Sequence, residues 1–106
     1  MLTRAEFSML LSATSVSATW REAKSPNRTA NLRVILAPID KSDEVLVNAY
    51  GIGGHTIQFL ADALPVAPVK FDSIAAGGKT HIFDTVIEQH ERGNGTLVYY
   101  ICHSKT

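Results

Sequence analysis

The chain has 106 residues, 45% of them hydrophobic and 19% charged, which describes one foldable domain and excludes a disordered or collagen-like polymer. Ten Lys and Arg balance ten Asp and Glu. This excludes a histone-like basic protein and leaves little repulsion against a homo-oligomer. A single cysteine cannot form an internal disulfide, and no apolar run reaches the roughly 18 residues of a spanning helix, so the expectation is a cytoplasmic chain with no membrane segment. The stretch Phe7 to Ala18 looks faintly like a signal peptide, but its Ser and Thr residues dilute the apolar run and Glu6 occupies the positive flank.

Thr3 and Glu6 have the spacing of a capping box, and Phe7, Leu10 and Leu11 follow at helical intervals, which predicts a helix over Arg4 to Ala13. From Ser15 to Glu22 the residues alternate, with Val16, Ala18 and Trp20 on one side and Ser17, Thr19 and Arg21 on the other, as in a strand. Ser25-Pro26-Asn27-Arg28 reads as a type I turn, Leu32 to Pro38 as a second strand, and Asp40 to Asp43 as a turn into a third strand, Glu44 to Tyr50.

The second half carries an internal echo. Val45 to Phe59 and Val69 to Phe83 share Val, Gly-Gly, Thr and Phe at an offset of about 24 residues. Each segment reads as strand, Gly-Gly, one residue, a Thr N-cap and an amphipathic helix: Ile57, Leu60, Ala61 and Leu64 in the first, Ile82, Phe83, Val86, Ile87 and His90 in the second. A competing reading makes Thr80 to Glu91 a long strand, hairpinned through Gly93-Asn94-Gly95 onto a last strand over Thr96 to His103; the stripe and caps favour the helix. The fold expected is a single α+β domain: an N-terminal helix, a three-strand antiparallel meander, then strand–helix units completing a mixed sheet of about five strands. Leu32, Val34, Leu36, Val47, Leu60, Phe83 and Tyr99 should line its core.

If both Gly-rich turns open helices at one end of the sheet, Gly53, Gly54, His55 and Thr56 with Gly77, Gly78, Lys79 and Thr80 offer backbone donors and positive charge to an anion. Gly78-Lys79-Thr80 ends like a phosphate-binding P-loop, but Ser73 stands where the leading glycine belongs. A second candidate surface is the basic segment Arg21, Lys24, Arg28 and Arg33, opposed by Glu22 alone and adjoining Trp20, which has the residue types of a nucleic-acid contact. His103 and Cys102 are sequence neighbours on a strand and so point apart, which argues against a thiolate–imidazole pair. No metal-ligand spacing or catalytic triad signature is present, and nothing in the sequence requires a cofactor.

The leading functional expectation is a small non-catalytic binding module whose ligand is a partner protein or an anionic, nucleotide-like small molecule. The alternatives are a small enzyme using His55 as acid or base with a carboxylate such as Asp72, a stoichiometric protein inhibitor, and a nucleic-acid-binding domain using the basic hairpin.

Overall fold

Alternation along the first two strands sets the architecture. In the computed structural model, which describes residues 2–51 and 53–105, β1 (Val16–Arg21) turns Ala18 and Trp20 inward, while β2 (Thr29–Pro38) turns Leu32 and Val34 inward. The two pair antiparallel, with Ser17 opposite Arg33 and Thr19 opposite Asn31. The chain continues through α2 (Glu44–Tyr50), β3 (His55–Leu60), a 3-10 turn (Ala61–Ala63), β4 (Ser73–Ala76), β5 (Lys79–His90) and β6 (Leu97–Ser104). The strands close into a six-stranded barrel in the order β1-β2-β3-β6-β5-β4, and every pairing is antiparallel. Trp20, Val34, Ile57, Phe59, Ile74, Phe83, Tyr100 and Cys102 fill the interior, so the barrel is a packed core rather than a pore.

The N-terminal helix α1 (Arg4–Thr14) begins at the expected capping box: the Glu6 N–H donates to Thr3 Oγ1 at 3.2 Å and the Thr3 N–H to Glu6 Oε1 at 3.0 Å. It lies outside the barrel and forms a second, smaller core. Phe7 stacks on Tyr99 of β6 with ring centroids 4.2 Å apart, and Leu11 and Val98 complete the contact.

The expected α+β mixed sheet is therefore wrong; the fold is mainly an antiparallel barrel with two short helices. Glu44 to Tyr50 is not the third strand of a meander but a helix, N-capped by Asp43, whose side chain accepts from the Leu46 N–H at 3.2 Å. The helix expected after Thr56 is β3 followed by the 3-10 turn, and the helix expected after Thr80 is β5. The Asn94-Gly95 hairpin reading holds in place of the helix. The turn after β1 also differs: Asn27 N–H donates to Lys24 O at 2.7 Å, which places Pro26 third in that turn, after a cis peptide bond from Ser25. Of the seven expected core residues, Leu32, Val34, Phe83 and Tyr99 are buried, and Leu36, Val47 and Leu60 are half-buried.

The barrel closes through a short pairing of β1 with β4, in which Trp20 lies opposite Ile74. Just before β4, Asp72 is 1% exposed and its carboxylate accepts from Trp20 Nε1 at 3.3 Å, the Ala23 N–H at 2.9 Å and the Val69 N–H at 3.0 Å. Removing such an acceptor strands its donors, each at a cost of about 1–3 kcal/mol where it is shielded from water. Asp72→Ala should lower the urea-unfolding free energy by about 2–4 kcal/mol, and Asp72→Asn by less, because one acceptor oxygen remains.

Candidate functional site

With the interior filled, ligand space lies on the outer wall. Outward residues of β1 and β2 form a polar strip. Thr19 Oγ1 donates to Asn31 Oδ1 at 3.2 Å, and next to this pair Arg33 reaches back across β1. Arg33 Nε donates to Ser15 Oγ at 3.0 Å, Nη1 to Ser17 Oγ at 2.8 Å and Nη2 to the Ser15 carbonyl at 2.8 Å. Three of its five N–H donors are thus spent on neutral oxygens, and no carboxylate among the described residues accepts from it. The guanidinium is held in place without being neutralised.

Arg33 borders two adjoining grooves. One, of about 650 Å³, crosses β1 and β2 and ends at the Gly77-Gly78 turn. The other, of about 580 Å³, runs between α1, β2 and the 3-10 turn, with Leu11, Leu60 and Ala63 beside the hydroxyls of Ser8, Ser12 and Ser15. Alternation explains the first: small polar residues on β1 face outward beside the small Ala75 of β4, leaving the wall shallow. Asn31, Leu32 and Arg33 line both, and Ser15, which caps α1 by donating its N–H to the Leu11 carbonyl at 3.0 Å, borders the second.

The residues expected to bind an anion divide. Since β3 and β5 both run antiparallel to β6, both Gly-Gly segments lie at the end of the barrel where these strands start. Neither opens a helix, so the dipole argument fails. Gly77 (φ 60) and Gly78 (φ 80) form the two-residue turn joining β4 to β5, a conformation that requires left-handed backbone at both positions. They border the Arg33 groove, and Lys79 and Thr80 stand exposed beyond them. Gly54 is buried, accepts from the Ile39 N–H at 3.0 Å, and has no room for a side chain: a Cβ would lie 2.7 Å from the Ser104 carbonyl oxygen. His55 lies against the buried His81 with ring centroids 4.6 Å apart, and Thr56 is half-buried opposite His103.

The basic segment also divides. Trp20 is fully buried and offers no stacking face to a base. Arg28 is paired with Glu22 through Nε at 3.1 Å and Nη2 at 2.9 Å, which holds the Glu22 carboxyl below its ordinary range. Arg21 and Lys24 are exposed. Of these four basic residues, Arg33 is the one that lines the grooves described above. The sequence reading missed its partners Ser15 and Ser17, although the alternation that sends Ser17 outward was already visible.

The groups suited to acid–base or nucleophilic chemistry have structural settings. Asp72 is buried among the three donors described above. Burial pushes the Cys102 thiol far up, away from the thiolate form. His103 lies under α2, its ring stacked on Tyr50 at 4.8 Å and its Nδ1 3.2 Å from Thr85 Oγ1, which in turn is 3.0 Å from Tyr50 Oη. Among the described residues no group of three or more His, Cys, Asp or Glu is placed to hold a metal ion. No family model, curated protein or solved structure matches the chain.

Two outcomes follow from this geometry. Gly54→Ala should destabilise the fold by about 1–3 kcal/mol in urea unfolding, while Gly53→Ala should be close to neutral, since a Cβ at Gly53 meets nothing nearer than 4.0 Å. Burial lowers the His103 pKa, so the unfolded chain binds its proton more tightly. Stability should fall as pH drops from about 6.5, the ordinary histidine value, through the lower folded value. The difference between wild type and His103→Gln, followed by unfolding from pH 7 to 5, isolates this slope from His90, whose raised pKa acts in the opposite sense.

Proposed function

We propose that the protein is a non-catalytic binding module that receives an anionic group at Arg33, carried by a partner protein or by a small molecule. A cytoplasmic setting belongs to the same reading, as does the absence of a bound cofactor. The observation behind it is the state of Arg33: a guanidinium fixed by Ser15 and Ser17, with no acidic partner among the described residues, at the junction of two grooves. Orienting a charged side chain in advance lowers the entropy cost of binding, and an arginine fork suits the paired oxygens of a carboxylate or phosphate. The buried settings of Asp72 and Cys102 favour this reading over the enzyme that uses His55 with a carboxylate. The burial of Trp20 weighs against the nucleic-acid surface.

Calorimetric titration with inorganic phosphate, ATP and an acidic peptide, together with NMR of the arginine Nε–H groups, tests the proposal. At least one anion should bind and shift the Arg33 signal. Arg33→Met should weaken it tenfold or more, and Arg28→Met, which breaks an ion pair outside the groove, should not. Absence of binding by all three anions, or equal losses in the two variants, would overturn it.

A further inference from the structure

A second surface, at the other end of β4 from the Gly77-Gly78 turn, carries an inference independent of Arg33. Residues Val69 to Asp72 form a turn in which the Asp72 N–H donates to the Val69 carbonyl at 3.1 Å. Its third residue, Phe71, has φ 78. Glycine is the ordinary occupant of that position in a turn of this kind, and a bulky side chain there is a conformational outlier. Packing does not explain the phenylalanine, because its side chain is 64% exposed. Its ring contact is with the neighbouring Lys70, whose Nζ lies 5.1 Å from the ring centroid.

The turn is nonetheless firmly anchored. Phe71 N–H donates to Phe83 O at 2.9 Å, Phe83 N–H to Asp72 O at 2.8 Å, and Val69 N–H to the buried Asp72 carboxylate at 3.0 Å. Exposed apolar side chains flank it in the chain and across the strand: Val69 opens the turn, and Ile82 precedes the Phe83 to which Phe71 is bonded. A strained aromatic left 64% exposed on a braced turn costs the fold stability and gives it little buried surface in exchange, which is the pattern of a residue retained for contact with another molecule.

We infer that Phe71 is a preorganised anchor for a protein partner, inserting into an apolar pocket that carries a carboxylate at its rim. Rigid aromatics are the residue type that dominates interface energetics, because they bury a large area at small entropy cost. The acidic rim follows from charge complementarity. Lys70 lies over the ring, and no carboxylate among the described residues pairs with it. One cation beside a few apolar groups is too little for a lipid surface, where stable attachment needs a polybasic patch or a larger buried apolar area.

Two measurements test the inference. Phe71→Asn, which tolerates left-handed backbone, should leave the melting temperature unchanged or raise it; a fall of more than about 5 °C would assign Phe71 to the fold instead. In the cells that produce the protein, p-benzoylphenylalanine at position 71 should photo-crosslink to one protein species, with the link mapped to an apolar pocket that has Asp or Glu at its edge. The same probe at the exposed Ile87 should not give that product, and adding Lys70→Glu should reduce it at least fivefold. An adduct to lipid, no adduct, a link to a site without an acidic rim, or insensitivity to Lys70→Glu would overturn the proposal. Phe71→Asn should keep the anion response of Arg33, so the two readings fail separately.

Discussion

The barrel depends on its shortest seam. β1 and β4 meet over only Thr19–Arg21 and Ser73–Ala75, a short ladder set against the entropy of ordering the long connection, residues 61–72, that leads into β4. The Asp72 carboxylate reinforces the seam from within. It ties the indole of Trp20, the backbone after β1 and the turn before β4 to one buried point. Trp20 is the largest fully buried side chain in the molecule, so the same bond that joins the strands also orients the core. Closure in turn leaves no free edge along the seam for a stray strand to pair with.

Filling the barrel confines recognition to its outside. The aromatic cluster of Phe59, Phe83 and Tyr100 occupies the centre, so a ligand meets side chains that point away from the core or segments between strands. The two surfaces differ in kind. Around Arg33 the wall is shallow, polar and charged, suited to orienting an anion. At Phe71 the surface is a protruding apolar knob on a braced turn. They stand at opposite ends of β4.

Much of the first third was legible because local and tertiary demands agree there. The capping box, the alternation of Ala18 and Trp20, and Leu32 with Val34 all describe what the chain does. The errors arose where two periodicities overlap. In β5 the register slips between Phe83 and Thr85, and the extra residue makes inward positions Phe83 and Val86 three apart instead of two, which imitates a helical stripe. In β3 both faces find apolar cover, since Ile57 and Phe59 enter the barrel while Leu60 meets α1, and alternation is blurred. Residues 44–50 are rich in valine and read as a strand. Asp43 as N-cap and Glu44 in the first turn were the opposing signal, and they decide the outcome because this segment has little tertiary packing to override it. The Arg33 constellation was half visible: the arginine could be named, but its serine partners depend on cross-strand register. Phe71 gave no sequence signal at all, since its significance lies in a backbone angle.

Ser15 occupies two roles at once, and this links parts of the molecule that otherwise look separate. It closes the last turn of α1 with its N–H and receives Arg33 through both its hydroxyl and its carbonyl. α1 itself rests on the barrel through its own small apolar cluster, apart from the main core. Ser15 thus joins the last turn of the helix to the Arg33 guanidinium, whose remaining side-chain bond, to Ser17, is made within the barrel wall. The pose of one arginine is therefore set jointly by where a helix stops and by how two strands are registered.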